Sequence, residues 1–202
     1  MLIQETFQNT IQGEGFYAGA RADFIRTFGC PVGCYFCDTG YFDGGKGLDK
    51  KARSIKEILS EIISNRVIIT GGEPMIQKDL RDLTDQLLSM GKKVSIETPG
   101  AYYQELNPEV WITLSPKQHI SPNFPVVPDI WGRANEFKFV IDQEKDIDLY
   151  LLESRRYKDI KPQYLNPNYF NMKNAVEDIY GIMKKYDYFK MGIQMHKFYN
   201  FE

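Results

Sequence analysis

The sequence contains little of the two residue types that most often bind transition metals, with only three cysteines and two histidines among 202 residues. Three cysteines separated by gaps of three and two residues are poor material for a disulfide framework, which needs pairs. A closed structural zinc site needs four ligands, and no second cysteine pair is present to complete one. The cysteines therefore belong to a different kind of site.

Long apolar runs and a strong net charge are also lacking. No stretch approaches the roughly 18 to 20 apolar residues that cross a membrane, and the formal net charge is −2. This charge, without a basic stripe, argues against nucleic acid, including tRNA, as a partner. The first residues, MLIQETFQNTIQGEG, lack the basic and apolar regions of a secretory signal. We therefore expect a cytoplasmic protein with neither a membrane nor a nucleic-acid partner.

Short apolar runs alternate with helix-period segments along a chain that has no internal repeat. The clearest helix is predicted over 53–64, where Ser54 and Glu57 form a capping box before an apolar face. Strands are predicted at 21–28, 66–74, 92–100, 110–117, 136–142 and 188–196, further helices at 78–91 and 172–186, and a loop at 38–53. Strands separated by helices predict a parallel sheet. About six such strands predict an α/β fold, an incomplete (β/α) barrel in one domain, 1–202.

All the cysteines lie in the segment GCPVGCYFCDTG, as Cys30, Cys34 and Cys37. Glycine and proline between them allow the tight curvature with which three thiolates converge on one centre. Adjacent free thiols would be prone to oxidation without benefit, and zinc is disfavoured because His119 and His196 are distant in sequence. A 4Fe–4S cluster usually takes four cysteines, so three would leave one iron open for substrate chemistry. We favour this last interpretation.

This loop resembles the signature of the radical S-adenosylmethionine (SAM) superfamily, Cys-x3-Cys-x2-Cys after the first barrel strand, with an aromatic residue, here Phe36, before the third cysteine. The resemblance implies a radical SAM fold in which Cys30, Cys34 and Cys37 hold one 4Fe–4S cluster and SAM chelates the open iron. It implies that an electron from the cluster cleaves SAM to methionine and a 5′-deoxyadenosyl radical. The cofactors then carry the difficult chemistry, while the protein holds and shields them.

The segment TGGEP follows a strand predicted to be buried, and taken alone it is typical of a strand-ending turn. Two adjacent glycines, Gly71 and Gly72, also let a ligand approach the backbone closely, and Glu73 offers a carboxylate to an ammonium group. Downstream of the cysteine loop, the segment resembles the turn that binds the SAM amino group in the superfamily. The resemblance therefore assigns these three residues to SAM.

Polar residues recur at the ends of later predicted strands. Alternation places Ser95 and Glu97 on one face of their strand, and Ser115 and Lys117 stand at the end of the next. Ordinary half-exposed strands and surface lysines produce the same patterns. In a barrel, however, these positions reach the C-terminal mouth, where functional sites collect.

The two ends of the chain carry paired polar groups. The segment QGEG suits a hairpin turn, but Gln12 and Glu14 together offer the donor and acceptor groups that read the amide edge of a heterocycle. Arg26, before the cysteine loop, offers a bidentate fork for a carboxylate. Gln194 and His196 share one face of the last predicted strand, where an isolated histidine is more often structural.

Together these segments resemble one radical SAM family, the 7-carboxy-7-deazaguanine synthases, over residues 10–197. The matching segments are TIQGEG, FIRTFGCPVGCYFCDT, TGGEP, IET, LSPK and QMHK. The resemblance implies conversion of 6-carboxy-5,6,7,8-tetrahydropterin to 7-carboxy-7-deazaguanine with loss of ammonia, in queuosine precursor biosynthesis. It implies hydrogen abstraction at the pterin C6, rearrangement and regeneration of SAM. It also implies a homodimer reduced by a protein such as flavodoxin or ferredoxin.

The same resemblance assigns roles to individual residues. It implies Mg²⁺ at Thr39, where a hard cation with few protein ligands would anchor the substrate carboxylate. The pterin-binding residues it implies are Gln12, Glu14, Arg26, Thr70, Gly71, Gln194 and His196. The SAM-binding residues it implies are Phe36, Gly71, Gly72, Glu73, Ser95, Glu97, Ser115 and Lys117. No catalytic side chain is assigned beyond the cluster and SAM.

Three positions depart from the family's pattern: Pro99 stands where asparagine is commoner, Asn166 where a glutamine is usual, and Met195 where a small polar residue is usual. We assign no role to Asn166. A glycyl-radical activase, which acts on a protein partner, is the nearest alternative, and the QGEG and Q-x-H-K segments argue against it. A non-catalytic zinc or iron–sulfur module is a second alternative. The cysteine count excludes an auxiliary cluster.

Overall fold

The structure, a computed structural model, describes residues 1–199, apart from the side chain of Phe42. Its strands are β1 (Leu2–Ile11), β2 (Arg21–Thr27), β3 (Lys51–Ala52), β4 (Arg66–Gly71), β5 (Lys93–Thr98), β6 (Trp111–Leu114), β7 (Glu136–Ile141), β8 (Gln163–Pro167) and β9 (Lys190–Met191). Its helices are α1 (Ile55–Leu59), α2 (Leu80–Ser89), α3 (Pro128–Arg133), α4 (Leu151–Tyr157), α5 (Met172–Lys185) and α6 (His196–Tyr199). Within these residues no helix is both long and apolar enough to cross a bilayer.

The nine strands form one open sheet in the order β3-β1-β2-β4-β5-β6-β7-β8-β9. Strand β1 runs antiparallel to β2 and β3, and the other pairings are parallel. Six of the parallel strands, β2 and β4 to β8, have four residues or more, and β9 has two. The prediction of an incomplete barrel with about six parallel strands is confirmed. Strands β1 and β8 were not predicted.

One face of the sheet forms the apolar core with the helices, and the other face is polar at one end. Ile25, Ile69 and Ile96, on neighbouring parallel strands, are fully buried in the core. The leucines at helical spacing in α2 pack into the same core, as their pattern predicted. Because parallel strands end at a common edge, the polar side chains at their carboxyl ends meet there. Register pairs Arg26 with Thr70 at this edge.

The helix predicted over 53–64 is shorter than its apolar pattern indicates. The predicted capping box is present, but α1 ends at Leu59. The buried carboxylate of Asp23 accepts hydrogen bonds from the backbone N–H of Ile63 (2.5 Å) and Ser64 (2.7 Å). These tertiary contacts hold the chain in a turn where the local pattern favours a further helical turn.

The strand predicted over 188–196 is wrong except at Lys190 and Met191. Strand β9 ends at Met191, and His196 begins α6. The neighbouring strand β8 ends at Pro167, which has no backbone N–H to donate to a longer partner. The C-terminal residues therefore leave the sheet and turn towards its polar face.

Candidate active site

The carboxyl ends of the parallel strands surround a cavity of about 430 Å³, a size typical of small-molecule sites. The residues predicted to form a site that do line it are Gln12, Glu14, Arg26, Cys30, Cys34, Phe36, Cys37, Thr39, Thr70, Gly71, Gly72, Glu97, Ser115, Lys117, Gln194 and His196. The loop after β1, the cysteine loop after β2 and the C-terminal residues thus meet at the strand ends.

The three thiols are free and face this cavity. Burial raises the pKa of Cys30 to about 11. Burial also raises the pKa of Cys34, although the Lys117 ammonium group acts in the opposite direction. Both thiols therefore hold their protons at neutral pH, and a metal must displace these protons in order to bind.

The donor set fits an iron–sulfur cluster better than a single metal ion. Within residues 1–199, no three His, Cys, Asp or Glu side chains come together as the ligands of one ion. A 4Fe–4S cube has a different requirement, because each thiolate binds a different iron at a different corner. Three thiols on the wall of one cavity, packed among apolar side chains such as Val32 and Phe36, meet that requirement.

The Gly71-Gly72 turn passes directly against the start of the cysteine loop. A Cβ on Gly72 would lie 1.9 Å from the carbonyl oxygen of Gly29, and one on Gly71 would lie 2.5 Å from the backbone of Thr27. The N–H of Gly72 donates to Thr27 O (2.9 Å), and that of Glu73 to Gly29 O (2.8 Å). The close approach that requires glycine here is therefore made by the chain's own backbone, which ties the two loops together.

Two side chains predicted to bind SAM do not line the cavity. Glu73 is fully buried beneath the turn and accepts hydrogen bonds from the Thr98 hydroxyl at 2.8 and 2.9 Å. Burial raises the pKa of this carboxyl to about 7. Ser95 lies two residues before Glu97 on β5, one pleat further from the strand end, with its Oγ 3.4 Å from Arg66 Nη1. Alternation predicted the correct face of β5 for Ser95, but it could not predict how far Ser95 lies from the end of that strand.

A buried lysine connects two carboxylates in the wall opposite the thiols. The Nζ of Lys138, a residue that is 7% exposed, lies 2.8 Å from Glu14 Oε2 and 3.6 Å from Glu97 Oε1. Burial opposes its charge, but the two carboxylates raise the pKa of Lys138. Burial likewise opposes the charge of Glu97, but Lys138 and hydrogen bonds from Gln12 (3.0 Å) and Thr70 (3.1 Å) lower its pKa. Lys138 and Glu97 thus stabilise each other's charge, and Glu14 contacts the same ammonium group.

Two amides complete the set of donors around Glu14. Gln194 Nε2 donates to Glu14 Oε1 (2.9 Å), and Asn166 Nδ2 donates to Oε2 (3.2 Å). No role was predicted for Asn166 or Lys138. A charged residue between two phenylalanines in a buried strand was a usable signal for Lys138. Asn166 had no such signal, because β8 itself was not predicted.

Arg26 and two phenylalanines form the wall on the side of β1 and β2. Arg26 Nη1 donates to the Thr39 hydroxyl (2.9 Å), and Nε donates to Glu5 (2.6 Å). The Phe7 and Phe24 rings stack with centroids 4.9 Å apart, and the Arg26 guanidinium lies 5.5 Å from the Phe7 centroid. This wall therefore offers a flat apolar surface next to a cation.

Lys117 supplies a second cation, close to the cysteines. Its Nζ donates to Ser115 O (2.7 Å) and Ser115 Oγ (2.6 Å). Burial lowers the pKa of Lys117 to about 8, with the negative charge available at Cys34 acting against this decrease. No carboxylate bonds directly to this ammonium group among the described residues, so an anionic ligand group would be its natural partner.

The C-terminal residues approach the cysteine loop through Asp38, which follows the third cysteine. Lys197 Nζ lies 3.0 Å from Asp38 Oδ1, and His196 Nε2 lies 3.7 Å from Oδ2. Burial opposes the charge of Asp38, but its contacts with His196 and Lys197 lower its pKa. Asp38 and Lys197 line the cavity, yet neither was predicted as a site residue.

Sequence comparisons agree with this arrangement. Residues 24–116 match the model of the radical SAM superfamily. A 7-carboxy-7-deazaguanine synthase from Synechocystis sp. is 33% identical over 200 residues, which cover 97% of this chain and 91% of the relative. A protein of the same name from Escherichia coli K12 is 37% identical over 167 residues, which cover 72% of this chain and 74% of the relative.

Comparison with solved structures agrees with the sequence comparisons. The crystal structure of QueE from Escherichia coli aligns with a TM-score of 0.80 at 30% identity, covering 96% of this chain and 94% of that one. Streptococcus suis SuiB bound to S-adenosylmethionine aligns with a TM-score of 0.51 at 14% identity, covering 83% of this chain and 45% of that one. At this lower identity the second likeness concerns the fold alone.

Proposed function

The chain belongs to the 7-carboxy-7-deazaguanine synthase family of radical SAM enzymes, and from this premise we propose how its own residues serve the reaction. That reaction converts 6-carboxy-5,6,7,8-tetrahydropterin to 7-carboxy-7-deazaguanine with loss of ammonia. It uses a 4Fe–4S cluster and SAM and acts on a small molecule. The observation that carries the proposal is one cavity of about 430 Å³ lined both by the three thiols and by the charged groups opposite them.

The cofactor side of the cavity comprises the thiols and Lys117. When bound, the cluster and SAM supply the radical chemistry that removes a hydrogen atom from the substrate. Cys30, Cys34 and Cys37 each hold one iron. Lys117 and Ser115 orient the SAM carboxylate, because the ammonium group of Lys117 has only neutral oxygens as hydrogen-bond partners here. The Gly71-Gly72 turn holds the cysteine loop in place.

The substrate side comprises Gln12, Glu14 and Glu97 around Lys138. Lys138 holds both carboxylates in place, so that they accept N–H groups from the pterin, while Gln12 supplies a donor and an acceptor. Gln194 and His196 close the same side. Because Gln12, Gln194 and His196 have polar side chains as partners, ligand groups would replace hydrogen bonds of the same kind and leave no buried charge unpaired.

In this proposal, Arg26 and Thr39 form the part of the site that binds the anionic end of the substrate. Arg26 binds the pterin carboxylate with its guanidinium fork. Thr39 is the protein ligand of Mg²⁺, with water and substrate oxygens completing the coordination, since Mg²⁺ keeps several waters and needs few protein ligands. The Thr39 hydroxyl lies on the cavity wall and accepts a single hydrogen bond, from Arg26, so one of its lone pairs remains for the ion.

The proposal extends to the protein's partners and setting. We place residues 1–202 in a single radical SAM domain, in the cytoplasm, where free thiols such as those on the cavity wall remain reduced. Flavodoxin or ferredoxin supplies the electron, and two copies of the chain form a homodimer. Size-exclusion chromatography with light scattering tests the last point, and a monomer at all concentrations would contradict it.

Turnover under anaerobic conditions tests the proposed reaction. The full chain, reconstituted with iron and sulfide and reduced, is incubated with SAM, Mg²⁺ and 6-carboxy-5,6,7,8-tetrahydropterin. We expect 7-carboxy-7-deazaguanine and an equal amount of ammonia. SAM cleavage without this product would favour the glycyl-radical activase, and a colourless protein that retains zinc would favour a non-catalytic module.

A pair of carboxylate variants tests the substrate side. Glu14→Gln removes an ionised acceptor from the cavity, and we expect it to raise the KM for the pterin about tenfold. Glu144→Gln is the matched control, because Glu144 pairs with Lys185 at the surface. An unchanged KM in Glu14→Gln would remove Glu14 from the substrate site.

A further inference from the structure

The C-terminal segment, residues 193–199, contacts loops of the molecule, whereas the residues just before it are hydrogen-bonded to the sheet. The last hydrogen bond to the sheet is donated by Gly192 N to Leu165 O (2.8 Å). Beyond that point the segment turns back over the polar face, and three of its side chains, those of Gln194, His196 and Lys197, line the cavity. The segment therefore forms part of the cavity wall without belonging to the sheet.

One side of the C-terminal segment contacts the loop after β1. Met195 N donates to Gly13 O (3.0 Å), and Gln194 Nε2 donates to Glu14. A Cβ on Gly13 would lie 3.0 Å from His196 Nδ1, so a glycine lets the two segments approach. These contacts join positions about 180 residues apart in sequence.

The other side contacts a single carboxylate on the cysteine loop. Asp38 accepts from Lys197 Nζ at 3.0 Å, lies 3.5 Å from Gln194 Nε2, and lies 3.7 Å from His196 Nε2. Three side chains of the C-terminal segment thus converge on the residue that follows Cys37. Asp38 and the loop after β1 both hold the segment, and Gln194 Nε2 contacts a carboxylate of each, Glu14 at 2.9 Å and Asp38 at 3.5 Å.

We propose that Asp38 is a positioning residue that holds the C-terminal segment closed over the cavity and thereby orients Gln194 and His196 towards the substrate. Half-exposed ion pairs of this kind are weak, so the segment opens at little cost relative to unfolding. Reversible closure lets substrate enter and product leave, and it excludes water in between. The part of the proposal that concerns substrate rests on the proposed function.

Hydrogen exchange tests closure without any turnover. In the full-length, reconstituted chain we expect Asp38→Asn to speed exchange of the Met195–Tyr199 amides about three- to tenfold, since it removes the charge that holds them. Lys197→Ala should act in the same direction, and it leaves the cysteine loop unaltered. Lys185→Ala, which breaks a surface pair with Glu144, is the control. Exchange in both test variants equal to that of the control would overturn the proposal.

Steady-state kinetics test positioning. We expect Asp38→Asn to raise the KM for the pterin about three- to tenfold with a smaller change in kcat, and Asp38→Glu to restore most of the loss. Faster exchange with an unchanged KM would overturn the positioning role. If Asp38→Asn and Lys197→Ala speed exchange in this segment but the unmodified chain makes no deazaguanine, the proposed function fails, whereas the closure by Asp38 stands.

Discussion

Glu97, which is half-buried, and Glu136, which is buried, are carboxylates on the same polar face, but their partners differ in kind. Glu97, near the carboxyl end of β5, is paired with Lys138, which lies 3.6 Å away. Glu136, at the start of β7, accepts from Phe16 N (2.7 Å), Trp111 Nε1 (3.2 Å) and the Thr113 hydroxyl, with no ion pair among the described residues. A cation therefore lowers the pKa of Glu97, whereas burial raises that of Glu136.

The difference follows from what each end of the face does. At the amino end, Phe16 stacks on Trp111 (centroids 5.1 Å apart) and Tyr17 packs edge-to-face against it (4.8 Å). Arg66 lies over the Tyr17 ring. This aromatic plug closes the interior, so fixed neutral donors suffice. At the carboxyl end a cavity opens between the strands, and charged side chains that pair with one another line it. Neutral donors thus hold the carboxylate at the closed end, and a cation holds those at the open end.

The largest expected difference between the two ends concerns iron. Cys34→Ser removes one of three cluster ligands, so we expect loss of cluster iron and a fall in turnover on the order of 1,000-fold or more. Trp111→Phe, in the aromatic plug, should retain full iron content. Iron analysis and visible absorbance after anaerobic reconstitution measure both. Unaltered iron in Cys34→Ser would contradict the assignment of the cluster.

The next expected effect is on stability. Lys138→Met leaves Glu14 and Glu97 buried without their cation, which costs about 3–5 kcal/mol at neutral pH. Both carboxylates then take up protons more readily, so the loss should shrink towards pH 5. Urea unfolding of the cluster-free chain at several pH values measures this. An equal loss at every pH would mean that the ion pairs contribute little.

Opposite pH dependences should distinguish the two carboxylates. The lowered pKa of Glu97 contributes stability above its unfolded value of 4.5, which is lost as the pH falls through its folded pKa. The raised pKa of Glu136 contributes stability below 4.5, which is lost as the pH rises through its folded pKa. We therefore expect Glu97→Gln to be most destabilising near pH 7, and Glu136→Gln near pH 4, each by about 1–2 kcal/mol. Urea unfolding midpoints measured at several pH values test this. If the midpoints of the two variants, each relative to the unmodified chain, changed with pH in the same direction, the prediction would be contradicted.

The smallest expected effect is at the aromatic plug. Phe16 is 52% exposed but stacks on Trp111, so Phe16→Ala should lower the free energy of unfolding by about 1 kcal/mol. The KM for the pterin should not change, because the plug lies at the closed end. A raised KM would show that the two ends are coupled.

Local spacing encodes several of the predicted site residues that the structure brings to the cavity. Three cysteines within eight positions reach one cavity because the loop that carries them is short. Gln194 and His196 reach the cavity as predicted, although from a turn and a helix start where a strand was predicted. Glu73 and Ser95 do not line the cavity. The sequence pattern could not predict this, because neither alternation nor a turn motif specifies how far a side chain lies from the ends of the strands.

The residues that were missed depend on contacts between distant parts of the chain. Lys138 acquires its role only when the loop after β1 brings Glu14 within 2.8 Å of it. Asn166 meets the same carboxylate from β8, 152 residues later. Asp38 has partners only because the chain leaves the sheet after β9. No single-sequence pattern reports such distances.

The order of amino acids was enough to determine the thiol set, the α/β alternation and the family, since each depends on residues close together in the chain. Which carboxylate is paired with a cation, which lies behind aromatic rings, and which side chains of residues 193–199 line the cavity were decided by tertiary structure alone. Burial and the strength of an electrostatic interaction depend on distances in space, and only the folded sheet sets these.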